Sequence, residues 1–188
     1  GNTAVTWGPG MKLNGTDPFE LTRAELELRM KTFEFVNGLR KREGFEKADL
    51  LETAFQIGVR ETRRFIGEYV LTKEDAENDV RFEDAIAISS NPVPSYYGKR
   101  FFYNHLGFDV PYRCVIPKNV NSLLLAGRNL SMEQAPWQSA RSMAPNMAIG
   151  QAVGTAAAIC AKKGIQPMIL DPIGLRRVLK ERGAVVER

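Results

Sequence analysis

Residues 142–161 carry no charge and consist mainly of alanine and glycine. Pro145 stands near a first helical position, Lys162 and Lys163 fill a last turn, and Gly164 follows where helices stop. The stretch therefore reads as one helix from about Pro145. Gly150, Gly154, Ala157 and Ala161 recur at spacings of three and four. They give the helix a nearly smooth face, which lets its backbone approach a sheet or a ligand closely. Tight packing for architecture alone explains the same composition equally well. A membrane span is not expected, because Pro145, Asn146, Gln151 and Thr155 interrupt a segment that would gain little on transfer into lipid.

Upstream, the apolar run Leu123–Ala126 reads as a short strand that stops at Gly127-Arg128, and a polar loop of about fifteen residues leads to the helix. A strand, a glycine turn and a helix N-terminus are the parts of dinucleotide sites, but no G-x-G-x-x-G precedes them here. The leading N–H groups of a helix lack partners, and the macrodipole there is worth roughly 0.3–1 kcal/mol to an anion. An anionic ring edge or a phosphate fits against Ala144–Ala148. Arg128 and Arg141 bracket the loop and are the best cationic candidates, although each alone is as well explained by a surface ion pair.

The rest of the chain alternates helices and strands without a regular βαβ repeat, which indicates an α+β lobe followed by a βα piece of a different sheet. Thr22-Arg23-Ala24-Glu25 reads as a capping box opening an amphipathic helix, with Ala24, Leu28, Phe35, Val36 and Leu39 inward and an end near Gly44. Thr53–Ile57 and Arg64–Val70 read as strands around a Gly58 turn, and Thr72-Lys73-Glu74-Asp75 as the cap of a short helix. Strands are expected at Ile86–Ser89 and Val110–Ile116, the latter an edge because of Pro111. Asp171-Pro172 opens a last helix, closed by Gly183.

Composition narrows the function classes. With 44% hydrophobic and 26% charged residues, this is an ordinary globular chain. Its +4 charge is spread along the sequence, and no recognition motif accompanies the basic clusters, so no nucleic-acid partner is expected. The start GNTAVTWGPG has neither a basic region nor an apolar core, so no signal peptide is read and a cytoplasmic location is expected. Cys114 and Cys160 lack partners at metal-ligand spacing and read as small buried hydrophobes. One histidine and scattered acids make a metal site unexpected.

Further candidates are fewer. In a strand, Arg60, Thr62 and Arg64 would share one face, as a pocket lining or as a charged edge. His105 lies in a Pro- and aromatic-rich loop, where a structural role is favoured. Lyase chemistry would need a placed base, for which only His105, or Tyr112 beside Arg113, can be nominated. No G-x-S-x-G elbow supports a serine hydrolase.

Several longer motifs occur in order: Leu21-Thr22-Arg23-Ala24-Glu25, Gly58-Val59-Arg60-Glu61-Thr62-Arg63-Arg64, Phe82-Glu83-Asp84-Ala85-Ile86 and Pro111-Tyr112-Arg113-Cys114-Val115-Ile116-Pro117. Asn121–Arg128, Arg141-Ser142-Met143 and Met147-Ala148-Ile149-Gly150-Gln151-Ala152 follow. Across most of residues 20–165 the chain resembles the C-terminal portion of the FAD-dependent oxidoreductase family, flavoproteins of the glutathione-reductase type whose members are sometimes labelled xanthan lyase. The resemblance implies an α+β fragment of an α/β two-lobe flavoprotein. Residues 1–116 would be part of a substrate or cap lobe with a mixed sheet and helices, and 117–188 the last strand and helices of the FAD-binding lobe. It further implies hydride or electron transfer between bound FAD and a small organic substrate.

Carried over, Gly127, Arg128 and Ser131 belong to the turn near the ribityl and pyrophosphate region. Arg141, Met143, Asn146, Met147 and Ala148 belong to the pyrimidine side of the flavin ring, where a helix N-terminus stabilises the anionic reduced form. Arg141, Arg60, Arg64, His105 and Tyr112 are the candidate catalytic residues. Trp137 stands where the pattern leads one to expect a small residue. The family's N-terminal Gly-rich part, which holds the ADP half, has no counterpart in these 188 residues. The expectation is therefore a fragment or one half of a split enzyme, inactive and flavin-free alone, with FAD in the complete protein. The alternative is a non-catalytic partner or remnant module that joins another chain or self-associates as a homodimer.

Overall fold

Asp17, not Thr22, starts the first helix. In the computed structural model, which describes residues 3–94, 100–101 and 107–187, α1 runs Pro18–Leu39. The Asp17 carboxylate accepts the Phe19 and Glu20 N–H groups, and Pro18 sits at the first helical position. An acceptor for two leading donors and a preset φ together outweigh the capping box one turn later. Thr22 instead donates its hydroxyl to the Pro18 carbonyl. The inward face is as expected: Ala24 is buried, and Leu28, Phe35, Val36 and Leu39 are partly so. The helix stops at Leu39 rather than near Gly44, which lies in the turns that follow with φ 83°.

The chain divides into two compact units, Gly1–Thr62 and Arg63–Arg188. In the first, the strand expected at Thr53–Ile57 does not form, because side chains of α1 take its backbone groups. Arg29 donates to Thr53 Oγ1 (2.8 Å) and to the Phe55 carbonyl (3.0 Å), and Ile57 N–H donates to the Glu25 carboxylate (2.8 Å). A segment satisfied in this way has no need of a sheet partner. The Ile57 N–H also holds the Glu25 carboxyl below its usual range.

In the second unit, Arg64–Val70 is likewise no strand. It is tied to its neighbours singly: Phe65 N–H to the Asn129 carbonyl, an antiparallel bridge Gly67–Pro117, and a parallel bridge Leu71–Met132 just beyond. Thr72 caps α2 (Lys73–Glu77) through the expected reciprocal box with Asp75. The strand β1 (Ala85–Ser89) pairs antiparallel with β4 (Phe108–Pro111), and the short β2 (Val93–Pro94) pairs antiparallel with β3 (Arg100–Phe101). Gly107, at φ 86°, precedes β4 where any Cβ would collide with the Ser89 backbone.

The strand expected to continue to Ile116 ends at Pro111, and Tyr112–Val115 forms a 3-10 turn. Asp84 causes the change. Its carbonyl accepts Tyr112 N–H (2.8 Å), and its carboxylate takes the Arg113 guanidinium in a fork (2.9 and 3.2 Å), which turns the chain out of the ladder. The strand expected at Leu123–Ala126 is also absent. Asn119 and Ser122 adopt positive φ just before it, and the run makes one described backbone bond, Leu125 N–H to the Val115 carbonyl. A strand needs neighbours, and the described residues supply none.

Three helices complete the unit: α3 (Gln134–Ala140), α4 (Met143–Lys163) and α5 (Pro172–Glu181). Gly164 closes α4 with φ 63°, and Asp171 caps α5 through the Ile173 and Gly174 N–H groups, both as read from the sequence. Pro145 is third in α4 rather than first. Ile149, Ala152, Ala156 and Cys160 of α4 pack against β1 together with Leu175 and Leu179 of α5, in one core with Leu71, Phe108, Val110 and Trp137. Each large apolar side chain buried there contributes about 1.5–3 kcal/mol. The described residues thus make an α+β fold with five α-helices and two two-stranded antiparallel sheets. None of these helices is long and apolar enough to cross a membrane.

Candidate functional site

The loop between Arg128 and Ser142 is organised by a tryptophan. Seven of its residues form α3, and Trp137 in that helix is only 2% exposed. Its indole N–H donates to the Arg128 carbonyl at 2.6 Å. That bond fixes the turn at Gly127, whose φ of 110° suits glycine and strains any other residue. Glu133 anchors the start of α3, its N–H on the Leu71 carbonyl and its carboxylate on Lys73 N–H.

Two of the candidate arginines meet on this indole. The Arg141 guanidinium carbon lies 5.5 Å from the ring centre and that of Arg64 5.7 Å. Their charges are therefore no further apart than the sum of those distances, and repel by at least a few tenths of a kcal/mol if fully solvated and at least about 1.5 kcal/mol at a protein surface. Attraction to the ring face, about 0.5–1 kcal/mol for each cation at exposed sites, is of the same size. Arg64 is fixed further by a bond to the Met132 carbonyl. Trp137 and Arg141 are four residues apart at one helix end, a spacing that puts side chains together.

Next in the chain is the leading end of α4. No side chain caps it: the Ser142 hydroxyl donates back to the Ser139 carbonyl instead. Pro145 carries no N–H and Asn146 N–H already reaches the Ser142 carbonyl, so Met143 and Ala144 hold the N–H groups without a partner among the described residues. The Asn146 amide nitrogen donates to the Ala140 and Ser142 carbonyls (2.9 and 3.0 Å), which sets its orientation and leaves its buried Oδ1 without a partner. The Asn129 Oδ1, beside the Gly127 turn, is a second buried acceptor without one. Buried polar atoms of this kind cost roughly 1–3 kcal/mol unless something else completes them.

Met143 (84%) and Met147 (74%) are exposed beside this end, while Ala148 packs on the core. The small-residue face is open: Gly150, Gly154, Ala157 and Ala161 are exposed, and a Cβ on either glycine would meet nothing within 4 Å. Within the described residues the helix is thus buried on one side and bare on the other.

The remaining candidates lie apart from this cluster or are engaged elsewhere. Ser131 is buried, its hydroxyl accepting Gly67 N–H (2.8 Å) and donating to the Tyr69 carbonyl (2.7 Å). Tyr112 donates to the Pro167 carbonyl (3.0 Å), and burial pushes its phenol above the usual range, so it holds its proton at neutral pH. Arg60 belongs to the first unit and Arg64 to the second. His105 lies outside the described residues. Among the described residues no three acidic, cysteine or histidine side chains gather as metal ligands. The sequence reading named Asn146 but missed α3, the acceptor of Asn129 and the role of Trp137. The Trp137–Arg141 spacing was the available signal.

No curated protein and no solved structure was found to match the chain. The family model described as FAD dependent oxidoreductase matches residues 2–180, nearly the whole length, and the chain belongs to that family.

Proposed function

We propose that this chain contributes the ring side of a flavin site in a redox enzyme acting on a small organic substrate. The observation that carries the reading is the leading end of α4, where two N–H groups with no partner among the described residues, at Met143 and Ala144, stand beside the buried acceptor of Asn146. Family membership implies FAD, and the residues present fit it. An isoalloxazine edge has acceptors for the N–H groups and a donor for an amide oxygen. The ribityl hydroxyls have donors of the kind that Asn129 Oδ1 lacks.

Bound FAD supplies a two-electron acceptor and donor. The chain's own part is electrostatic. The positive end of α4 and the Arg141 guanidinium favour negative charge at the ring's pyrimidine side, by roughly 0.3–1 kcal/mol for the helix alone. Gly127 lets the turn pass close to a ligand, and Arg128 and Ser131 belong to it. Arg141, Met143, Asn146, Met147 and Ala148 line the ring side. Arg64 and Arg141 are the foremost candidates to touch substrate, whereas Arg60, His105 and Tyr112 have weaker support.

In this reading the protein is a two-lobe flavoprotein of the glutathione-reductase type, with 1–116 in the substrate lobe and 117–188 in the FAD lobe. The ADP half of the cofactor is held by polypeptide outside these residues, and the 188-residue chain alone is inactive. The second reading, a module that joins another chain or its own copy, is favoured by the bare face of α4. The complete protein, expressed from its own gene, is expected to show the visible absorbance of bound flavin. A colourless product that takes up no FAD on reconstitution would overturn the proposal.

A further inference from the structure

We propose that the outward face of α1 is a dimer interface, on which a second copy of this chain lies antiparallel. The surface belongs wholly to the first unit, so the inference stands apart from the flavin reading. Its starting point is a helix with two apolar faces. Ala24, Leu28 and Phe35 face inward, and Ala24 is fully buried. Phe19, Leu26, Met30 and Phe33 recur at spacings of seven, four and three and fall on the opposite side. All four are between 56 and 83% exposed. A side chain of this size carries roughly 150–250 Å², so the stripe offers on the order of 500 Å² and a pair of copies about twice that. Lone apolar residues on a surface are ordinary, but a stripe of this area marks an interaction site, and specific interfaces begin near the pair's total.

The symmetry of the stripe and its charged border select a second copy as the occupant. Phe19 stands seven residues before Leu26 and Phe33 seven after it, so a two-fold axis at Leu26 reproduces the pattern with the helix direction reversed. Leu26 then meets Leu26 of the second copy, and each Phe19 lies across from the other copy's Phe33. Such self-complementarity is what a two-fold interface requires. One border of the stripe holds Arg23, Glu27 and Glu34, with Arg23 and Glu27 paired at 3.7 Å and about half exposed. In the antiparallel arrangement this border runs alongside itself in reverse, so Arg23 faces the stretch between Glu27 and Glu34 of the second copy. Opposite charges therefore meet twice. A parallel pair would set like helix ends side by side, which the macrodipoles disfavour. The two glutamates also disfavour an anionic lipid surface, which calls for lysine and arginine along the polar face.

Sedimentation velocity of the complete protein, over a wide range of concentration, is the test. A reversible dimer is expected. Leu26→Glu places two carboxylates at the two-fold axis and should weaken association about tenfold or more. Leu26 is exposed in a single copy, so the variant should keep its helical circular dichroism. Arg23→Glu sets acid against acid across the border and should weaken association about fivefold over two symmetric contacts. Adding Glu27→Arg to it should recover most of the loss, which a folding defect would not do. A dimer that Leu26→Glu leaves intact, such as one built on the bare face of α4, overturns the proposal, as does a charge reversal without effect. A complete protein that stays monomeric also overturns it, even where the 188-residue chain alone dimerises, because α1 is then covered by polypeptide outside these residues. Visible absorbance reports flavin separately. A dimer without flavin would keep this interface and sink the flavin reading, and a flavin-bound monomer would do the converse.

Discussion

Replacing Gly150 and Gly154 by alanine probes the bare face of α4 in two settings with opposite expected signs. A glycine inside a helix costs about 0.5–1 kcal/mol relative to alanine. Both positions are exposed, and a Cβ at either meets nothing within 4 Å, so no steric term opposes the gain. The 188-residue chain should therefore become more stable by roughly 1–2 kcal/mol in the double variant. For a unit of this size that raises the melting temperature by roughly 3–10 °C. Urea and thermal unfolding followed by circular dichroism measure it, with gel filtration at several concentrations alongside. In the complete protein the same methyls would press on whatever seats against that face, and overpacking of this kind costs about 1–3 kcal/mol. There the double variant should lose stability and flavin. A double variant that destabilises the chain alone would refute the reasoning, because the face would then already be covered in solution.

Other outcomes follow from individual contacts. Burial pushes the Cys114 thiol up to about 12, so native protein at pH 8 should resist thiol reagents that react fully after unfolding. The sign for stability is set by the raised value: the contribution is complete below the unfolded value near 9 and is lost as pH climbs toward about 12, which alkaline urea titrations would detect. Trp137→Phe removes the indole N–H from the Arg128 carbonyl and leaves a smaller ring in a buried place, and should cost roughly 1–3 kcal/mol by chemical unfolding, with no loss counting against the Trp137-centred loop. Asp171→Ala strips two N–H groups of α5 of their cap and should cost about 1 kcal/mol, whereas Asp171→Asn should cost much less.

What the sequence disclosed depended on how locally each element is determined. The Thr72 box, the Asp171 cap, Gly164 and the apolar positions of α1 were legible because caps and helical periodicity act within a few residues. The strands at 53–57, 64–70 and 123–126 were not, because an extended apolar run becomes a strand only if a neighbour pairs with it. Arg29 and Glu25, more than twenty residues away in sequence, took that place for the first of these. Asp84 likewise ended β4 from outside it. At the site, Arg128 and Arg141 were visible as chemistry around a helix start, and Asn146 through the family resemblance. Arg64 was visible only as part of a charged run, since its meeting with Trp137 spans more than seventy residues of sequence. Trp137 looked like a misfit in a loop because nothing local announces that a loop will wrap around a buried indole.

The most direct test of the account concerns the amides at the start of α4. Hydrogen exchange of the complete protein freed of flavin, resolved over residues 142–149, is compared without ligand and with excess FAD, riboflavin or ADP. If the helix start faces the flavin ring, FAD and riboflavin should slow exchange at Met143 and Ala144 while ADP leaves it unchanged. Protection by ADP equal to that by riboflavin, or no protection there at the highest soluble flavin concentration, would contradict the account.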